Sequence, residues 1–173
     1  GVTHNIPLLR DIVQEKRFRD GNITTKYLPE VYPEGFQGTV LTPTEQNTVI
    51  AFAAALNARK LARANQFLNQ NKQRSTHVAS FSKTYKFVSS LPVKEGERPT
   101  EHAVEVTFVN GDANKAKVSV GGKVIDIAGN LSLSLPVNSI EVNGEHITTQ
   151  IVGKRAGEIT VLYKGTPFKV KVL

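Results

Sequence analysis

VIAFAAAL, residues 49–56, decides the fold. At 3.6 residues per turn, eight consecutive apolar residues leave no polar face on a helix, and a helix that is apolar all round must be enclosed all round. The residues before it support a helix. In TPTE, residues 42–45, Thr42 can cap free backbone N–H groups, Pro43 suits the first helical position, and Glu45 falls where a capping box wants its carboxylate. No Gly or Pro follows before Pro92, so one helix is predicted from Pro43 to about Lys72, about 45 Å long at 1.5 Å per residue. Past Leu56, the bulky Leu61, Phe67 and Leu68 continue on part of the surface while Arg59, Arg63 and Gln66 share another, which predicts that the C-terminal half emerges from its wrapping.

The material for the wrapping lies downstream. From about His77 to Leu173 the chain offers HAVEVTFV, KAKVSV, KVIDIA, NLSLSL, NSIEV, EHITTQIV, EITVLY and TPFKVKVL, short segments rich in β-branched residues and many of them alternating apolar with polar. Turn signals separate them at Asn110-Gly111, Gly121-Gly122, Asn143-Gly144 and Lys164-Gly165, of which Gly121-Gly122 and Asn143-Gly144 suit two-residue hairpins. Tight turns join antiparallel neighbours, so the topology is a meander. The predicted fold is therefore α+β: an antiparallel up-and-down β-barrel of about eight strands wrapped around one long central α-helix, an arrangement that also removes exposed sheet edges. A sandwich with the helix packed on one face is the alternative.

Length bounds the chain to one domain with a small appendage, and 173 residues can remove about 70% of their unfolded surface from water without a metal or disulfide. Cysteine is absent, which excludes a disulfide scaffold, a thiol nucleophile and a Cys-containing zinc site. No apolar run approaches the length of a membrane span and no segment has the order of a signal peptide, so no membrane partner is predicted and any targeting sequence would lie upstream of Gly1. Net charge is +7, and it is local. Between Glu45 and Glu95 there is no Asp or Glu, yet Arg59, Lys60, Arg63, Lys72, Arg74, Lys83, Lys86 and Lys94 fall there; the remaining basic and acidic residues nearly cancel.

The usual catalytic constellations are missing. His4, His77, His102 and His146 show no metal-ligand spacing. GGK at 121–123 and GKRAGE at 153–158 lack the Ser or Thr and the helix N-terminus of a phosphate loop, and hairpin turns explain them better. No Ser sits in a nucleophile elbow, and Glu45 is the single carboxylate of the long helix. No catalytic, cofactor-binding or metal residue is assigned. The basic stretch 59–94 fits three readings: a nucleic-acid footprint, contact with an acidic protein surface, or solvated charge complementing a helix C-terminus. Few aromatics accompany it to stack bases, and Phe67, Phe81, Tyr85 and Phe87 suit a core.

The first region, Gly1 to about Gly38, opens on GVTHNIPLLRDI with no initiator Met, which predicts that Gly1 is a cut point in a longer chain. Ile6, Leu8, Leu9, Ile12 and Val13 have helical spacing, with Pro7 tolerable in a first turn and Asn5 available as a cap. After Gly21 come Pro29, Pro33, Gly35 and Gly38 with Tyr27, Tyr32 and Phe36 among them, the composition of a linker anchored by aromatics.

GVTHNIPLLRDI, then RFRDGNITTKYL and VYPEGFQG, resemble the carboxyl end of the biotin carboxylase domain in α subunits of biotin-dependent acyl-CoA carboxylases, and the THNI and YPEGFQG spellings are most like propionyl-CoA carboxylase. The match is specific over residues 1 to about 38 and looser over the helix and strands. The resemblance implies two parts: residues 1–38 as the tail of a biotin carboxylase domain, and 39–173 as a mediator (BT) domain with helix 43–72 and barrel strands in 77–173. It implies a non-catalytic assembly role holding biotin carboxylase to the carboxyltransferase β subunit, within a hetero-oligomeric enzyme that carboxylates propionyl-CoA to methylmalonyl-CoA. Biotin, ATP, Mg2+ and bicarbonate are implied for the parent, with none bound by this segment, as is a mitochondrial matrix location in animals and a cytoplasmic one in bacteria. No A-M-K-M biotinylation sequence is present. In that family the loop leaving the long helix contacts the carboxyltransferase subunit, which points to residues 69–82 and to Lys72, Arg74 and His77 as subunit-interface residues. With the carboxylase body missing, Ile6, Leu9 and Ile12 are expected to be exposed. The readings from other classes are a freestanding basic nucleic-acid-binding module and a small barrel enzyme or carrier with a site in the lumen, the latter weakened by a helix that would fill that lumen.

Overall fold

A computed structural model describes residues 4–68, 81–92 and 98–173. The chain divides into two compact units, one comprising residues up to Val40 with Lys164–Thr166, the other Leu41–Tyr163 with Pro167–Leu173.

The first unit contains α1 (Ile6–Gln14), α2 (Lys16–Arg19) and α3 (Tyr27–Val31). Asn5 precedes α1 in a non-extended conformation and its side chain makes no capping bond, contrary to the sequence expectation. The segment read as an irregular linker includes the short helix α3. Among the described residues of this unit, Tyr27 is the one fully buried hydrophobic side chain, so polar contacts carry much of its order. Glu15 closes the N-terminus of α2: its Oε2 accepts from the Phe18 amide at 3.1 Å and from the Tyr27 hydroxyl at 3.0 Å. The Tyr32 hydroxyl donates to Asp11 at 2.6 Å, and Arg17 pairs with Glu30 at 3.0 Å while its guanidinium lies 5.7 Å from the centre of the Tyr27 ring. The backbone N–H of Arg17, aided by that of Phe18 and by the Tyr27 hydroxyl, holds the Glu15 carboxyl below its ordinary pKa.

The second unit is built around α4 (Pro43–Leu68). The capping box forms reciprocally, Glu45 N–H donating to Thr42 Oγ1 at 3.3 Å and Thr42 N–H to Glu45 Oε2 at 2.9 Å. Eight strands surround the helix: β1 (Thr84–Ser90), β2 (Glu101–Phe108), β3 (Lys115–Val120), β4 (Lys123–Gly129), β5 (Val137–Val142), β6 (Glu145–Arg155), β7 (Glu158–Tyr163) and β8 (Thr166–Val172). They follow one another in chain order and close into a barrel where β1 meets β8. Pairing is antiparallel from β1 through β7 and again across the β1–β8 seam, where Ser89 faces Val172 and Ser90 faces Lys171.

The barrel encloses the octet as its composition demands. Every residue from Val49 to Leu56 is at most 1% exposed, and α4 packs chiefly on β1 to β4 and on β7. The strands supply inward rows by strict alternation: Val104, Val106 and Phe108 from β2, Ala116, Val118 and Val120 from β3, and Phe168, Val170 and Val172 from β8. Across neighbours, Val106 opposes Val118 and Val118 opposes Ile125, so a layer of branched side chains faces the helix. The α+β barrel around a central helix is thus the observed fold.

Two strand assignments need correction. NLSLSL is not a strand: Leu131 is fully buried, but Ser134 N–H donates to Ser132 Oγ at 3.3 Å and Asn138 Nδ2 donates to the Leu135 carbonyl at 3.1 Å, so local polar groups satisfy backbone that a ladder would otherwise use. TYKFVSS, unassigned in the sequence reading, is β1. Its alternation is disguised because Ser89 takes an inward position, opposite Val172, while Val88 points outward and Ser90, on the outward row, is buried as well.

Candidate functional site

The helix does emerge where its composition changes. Beyond Leu56, Ala58 and Ala62 continue a buried stripe one turn apart, while Lys60, Arg63 and Ala64 are exposed and Leu61 is 39% exposed. Helix geometry therefore presents a basic face at this end of α4. Lys72, Arg74 and His77, the interface residues predicted from the sequence, lie outside the described residues. Of the other cations in the basic stretch, Lys86 on β1 pairs with Glu105 on β2 at 2.9 Å in an exposed cross-strand bridge.

Arg59 differs from its neighbours. Its half-buried guanidinium donates through Nη1 to the Leu131 carbonyl, to Asn114 Oδ1 at 3.1 Å and to Asn130 Oδ1 at 3.4 Å. Partial burial lowers its pKa, and the charge of Arg63 one turn away adds to the effect. Arginine stays protonated regardless, so Arg59 works as a charged pin between the emerging helix and the 130s segment.

Beside this pin lies a cleft of about 410 Å³. Arg59, Lys60, Arg63 and Ala64 form its helix wall, Lys154 of β6 faces them, half-buried Leu133 supplies apolar surface, and the buried Leu56 and Leu131 lie beneath. Ser132 and Ser134 complete the lining, their hydroxyls 2.7 Å apart. A register shift between Ile151 and Gly153 bends β6 just before Lys154. An adjoining cleft of about 340 Å³ shares Lys60, Leu133 and Lys154 and adds Arg155 and Glu158. Among the described residues, no carboxylate and no aromatic side chain lines the larger cleft. A third cleft, of about 300 Å³, is lined by Gln46 and Ile50 of α4 with Arg98 and His102.

Among the described residues, no three of His, Asp and Glu converge as a metal site would require, and no helix is long and apolar enough to cross a membrane. His146 lies 3.6 Å from Glu141 on the barrel surface and His102 sits on β2. Sequence reasoning singled out Arg59, Lys60 and Arg63 as part of the basic stretch. It missed Lys154, Arg155 and residues 131–134 as their neighbours, because only barrel closure brings such distant segments together and no local pattern signals it.

The sequence profile of the family described as "Propionyl-coenzyme A carboxylase BT domain" matches residues 49–173. Over its whole length the chain is 92% identical to a propionyl-CoA carboxylase alpha chain, mitochondrial, of Caenorhabditis briggsae, and 87% identical to the protein of the same description in Caenorhabditis elegans. It is 34% identical to that of Rattus norvegicus. The chain spans between 22% and 24% of the length of these relatives.

Proposed function

Since this chain belongs to the propionyl-coenzyme A carboxylase BT domain family, we propose that it is the mediator segment of a longer biotin-dependent α chain, a non-catalytic spacer that holds a biotin carboxylase domain to a carboxyltransferase β subunit. The observation that carries this reading is the filled barrel. With Val49–Leu56 at most 1% exposed and the inward rows packed around them, the lumen is occupied by the protein's own helix. A plugged barrel is stiff, and a spacer needs stiffness. The frequency with which a tethered group visits two sites depends on tether length and on the span between them, so a rigid body that fixes the span supports turnover without touching a reacting atom.

On this reading residues 1–38 are the tail of the biotin carboxylase domain and 39–173 the mediator domain. The surface of the first unit supports the assignment. Ile6, Leu9 and Val13 on α1 are each about half exposed, as are Ile23 and Leu28, and a stripe of that kind calls for a covering body. Ile12, expected to be exposed with them, is half-buried. The parent chain would use ATP, Mg2+ and bicarbonate to carboxylate a covalently held biotin and pass the carboxyl group to propionyl-CoA, giving methylmalonyl-CoA. Those groups would be held outside this segment. A mitochondrial matrix location is part of this reading, supported by relatives whose descriptions include that organelle.

Sedimentation of the full-length α chain with the carboxyltransferase β subunit tests the reading, with Lys72→Glu and Arg74→Glu as the probing variants. A complex that forms with the wild type and weakens in the double variant supports the spacer role and the interface. Failure of the wild type to associate overturns the role, and an unchanged complex in the double variant overturns the interface.

A further inference from the structure

We propose that the larger cleft at the emerging end of α4 is a binding site for a small organic diphosphate. Arg59 and Arg63 stand one turn apart on α4 with Lys60 beside them, a like-charge arrangement that destabilises a helix unless something offsets it. Lys154 faces the same cleft from β6. Among the described residues none of these four cations lies within ion-pair distance of a carboxylate.

The chemistry of the walls narrows the ligand. Arg59 commits Nη1 to Asn114, Asn130 and the Leu131 carbonyl, and its other donors have no hydrogen-bond partner among the described residues, so its charge is held in place for an anion. The Ser132 and Ser134 hydroxyls share one proton in the bond between them, which leaves the second proton to donate outward. Several cations with a hydroxyl donor suit adjacent phosphoryl groups better than one carboxylate. Half-buried Leu133 and exposed Ala64 give the same cleft a small apolar surface for the organic part, and about 410 Å³ falls in the range of small-molecule sites. A nucleic-acid strand would want stacking aromatics, and among the described residues that line the cleft there are none. Lys154 comes from the GKRAGE segment that fails as a phosphate loop; it contributes through its side chain on a hairpin, without a backbone cradle.

Both lysines are exposed, so the site can be read residue by residue in the full-length gene product. Lysine acetylation mapped by mass spectrometry is compared with and without inorganic pyrophosphate or ADP. With ligand at three times its dissociation constant, modification of Lys60 and Lys154 is expected to fall about fourfold, while Lys115 and Lys117 on β3 are unchanged. Arg63→Glu is expected to weaken that protection by about tenfold or more. Protection by both probes at equal concentration assigns the site to the diphosphate alone, and tighter protection by ADP adds the apolar surface. Absence of protection by either probe, equal protection at Lys115 and Lys117, or protection by poly-glutamate alone overturns the proposal.

Discussion

Leucine placed at Ala51, Ala53, Ala54 and Ala55, one at a time, tests the enclosure of α4 from several sides. Taking Ala51 as the origin, the other three point about 200°, 300° and 40° round the helix axis, and Phe52 fills the sector near 100°. All four alanines are fully buried. A helix lying on one flat layer would leave at least one of them facing solvent or a yielding loop; a helix inside a closed barrel leaves none. Each replacement adds three carbon atoms where strand side chains already meet the helix, a change that costs about 1–3 kcal/mol in a packed core. For a chain of this size, about 2–4 °C of Tm is lost per kcal/mol, so each variant should melt about 2–12 °C below wild type. Ala64→Leu on the exposed end of the same helix is the control, and it should stay within about 0.5 kcal/mol of wild type. Helix propensity cannot explain the contrast, since Ala and Leu rank close together in every case. Thermal melts and urea midpoints followed by circular dichroism measure it on the 173-residue chain. A single variant among the four that matches Ala64→Leu would refute the enclosure.

Other outcomes follow from particular contacts. Arg59→Met keeps the apolar stem but removes the donors to Leu131, Asn114 and Asn130; a loss of about 1.5–3 kcal/mol is expected, with faster amide exchange over residues 130–134 as the local readout. Thr42→Ala breaks the capping box and should cost about 1 kcal/mol in urea unfolding. Gly129 sits at φ 139°, and a Cβ there would stand 2.9 Å from the Ser139 carbonyl oxygen and 3.1 Å from the Ile140 Cα; Gly129→Ala should therefore lose about 1–3 kcal/mol. For Glu15 the folded pKa is lowered, so its contribution to the first unit is complete above the ordinary carboxylate pKa of about 4.3 and is lost as pH falls through the folded value. The Tyr27 ring resonances should report that loss as an acid titration, and Glu15→Gln should abolish it.

The parts of the fold legible in the sequence are those where one local pattern leaves one physical solution. VIAFAAAL has no polar side to turn to water, and TPTE carries both halves of a reciprocal cap. Asn143-Gly144 and Gly121-Gly122 can adopt the left-handed conformations a two-residue hairpin needs, and they do, at φ 50° and 85° and at 54° and 88°. The misreadings arose where alternation and burial part company. NLSLSL alternates without pairing because its serines bond locally. TYKFVSS pairs without clear alternation because a serine, Ser89, holds an inward position on β1 and a valine, Val88, an outward one. The basic cleft was half legible: the helical cations share one stretch, but their partners lie some 70 to 95 positions away and meet them only through closure. Asn5 shows the limit of a one-residue rule, since a capping side chain also requires an extended backbone that Asn5 does not have.

The seam between β1 and β8 sets an order of events for synthesis. Val88 and Leu173 exchange backbone bonds of 2.8 and 3.0 Å, so the last rung of the cylinder joins segments made far apart in time. At typical ribosomal speeds of 5–20 residues per second, the roughly 80 residues between them take about 4–16 s to appear. Throughout that interval the greasy core of α4 has been translated while its jacket is still incomplete. A chain in that condition calls for a holdase chaperone, and in a bacterial host, where it folds as it is made, slowing elongation across β2 to β7 should lower the soluble yield more than slowing it before Pro43.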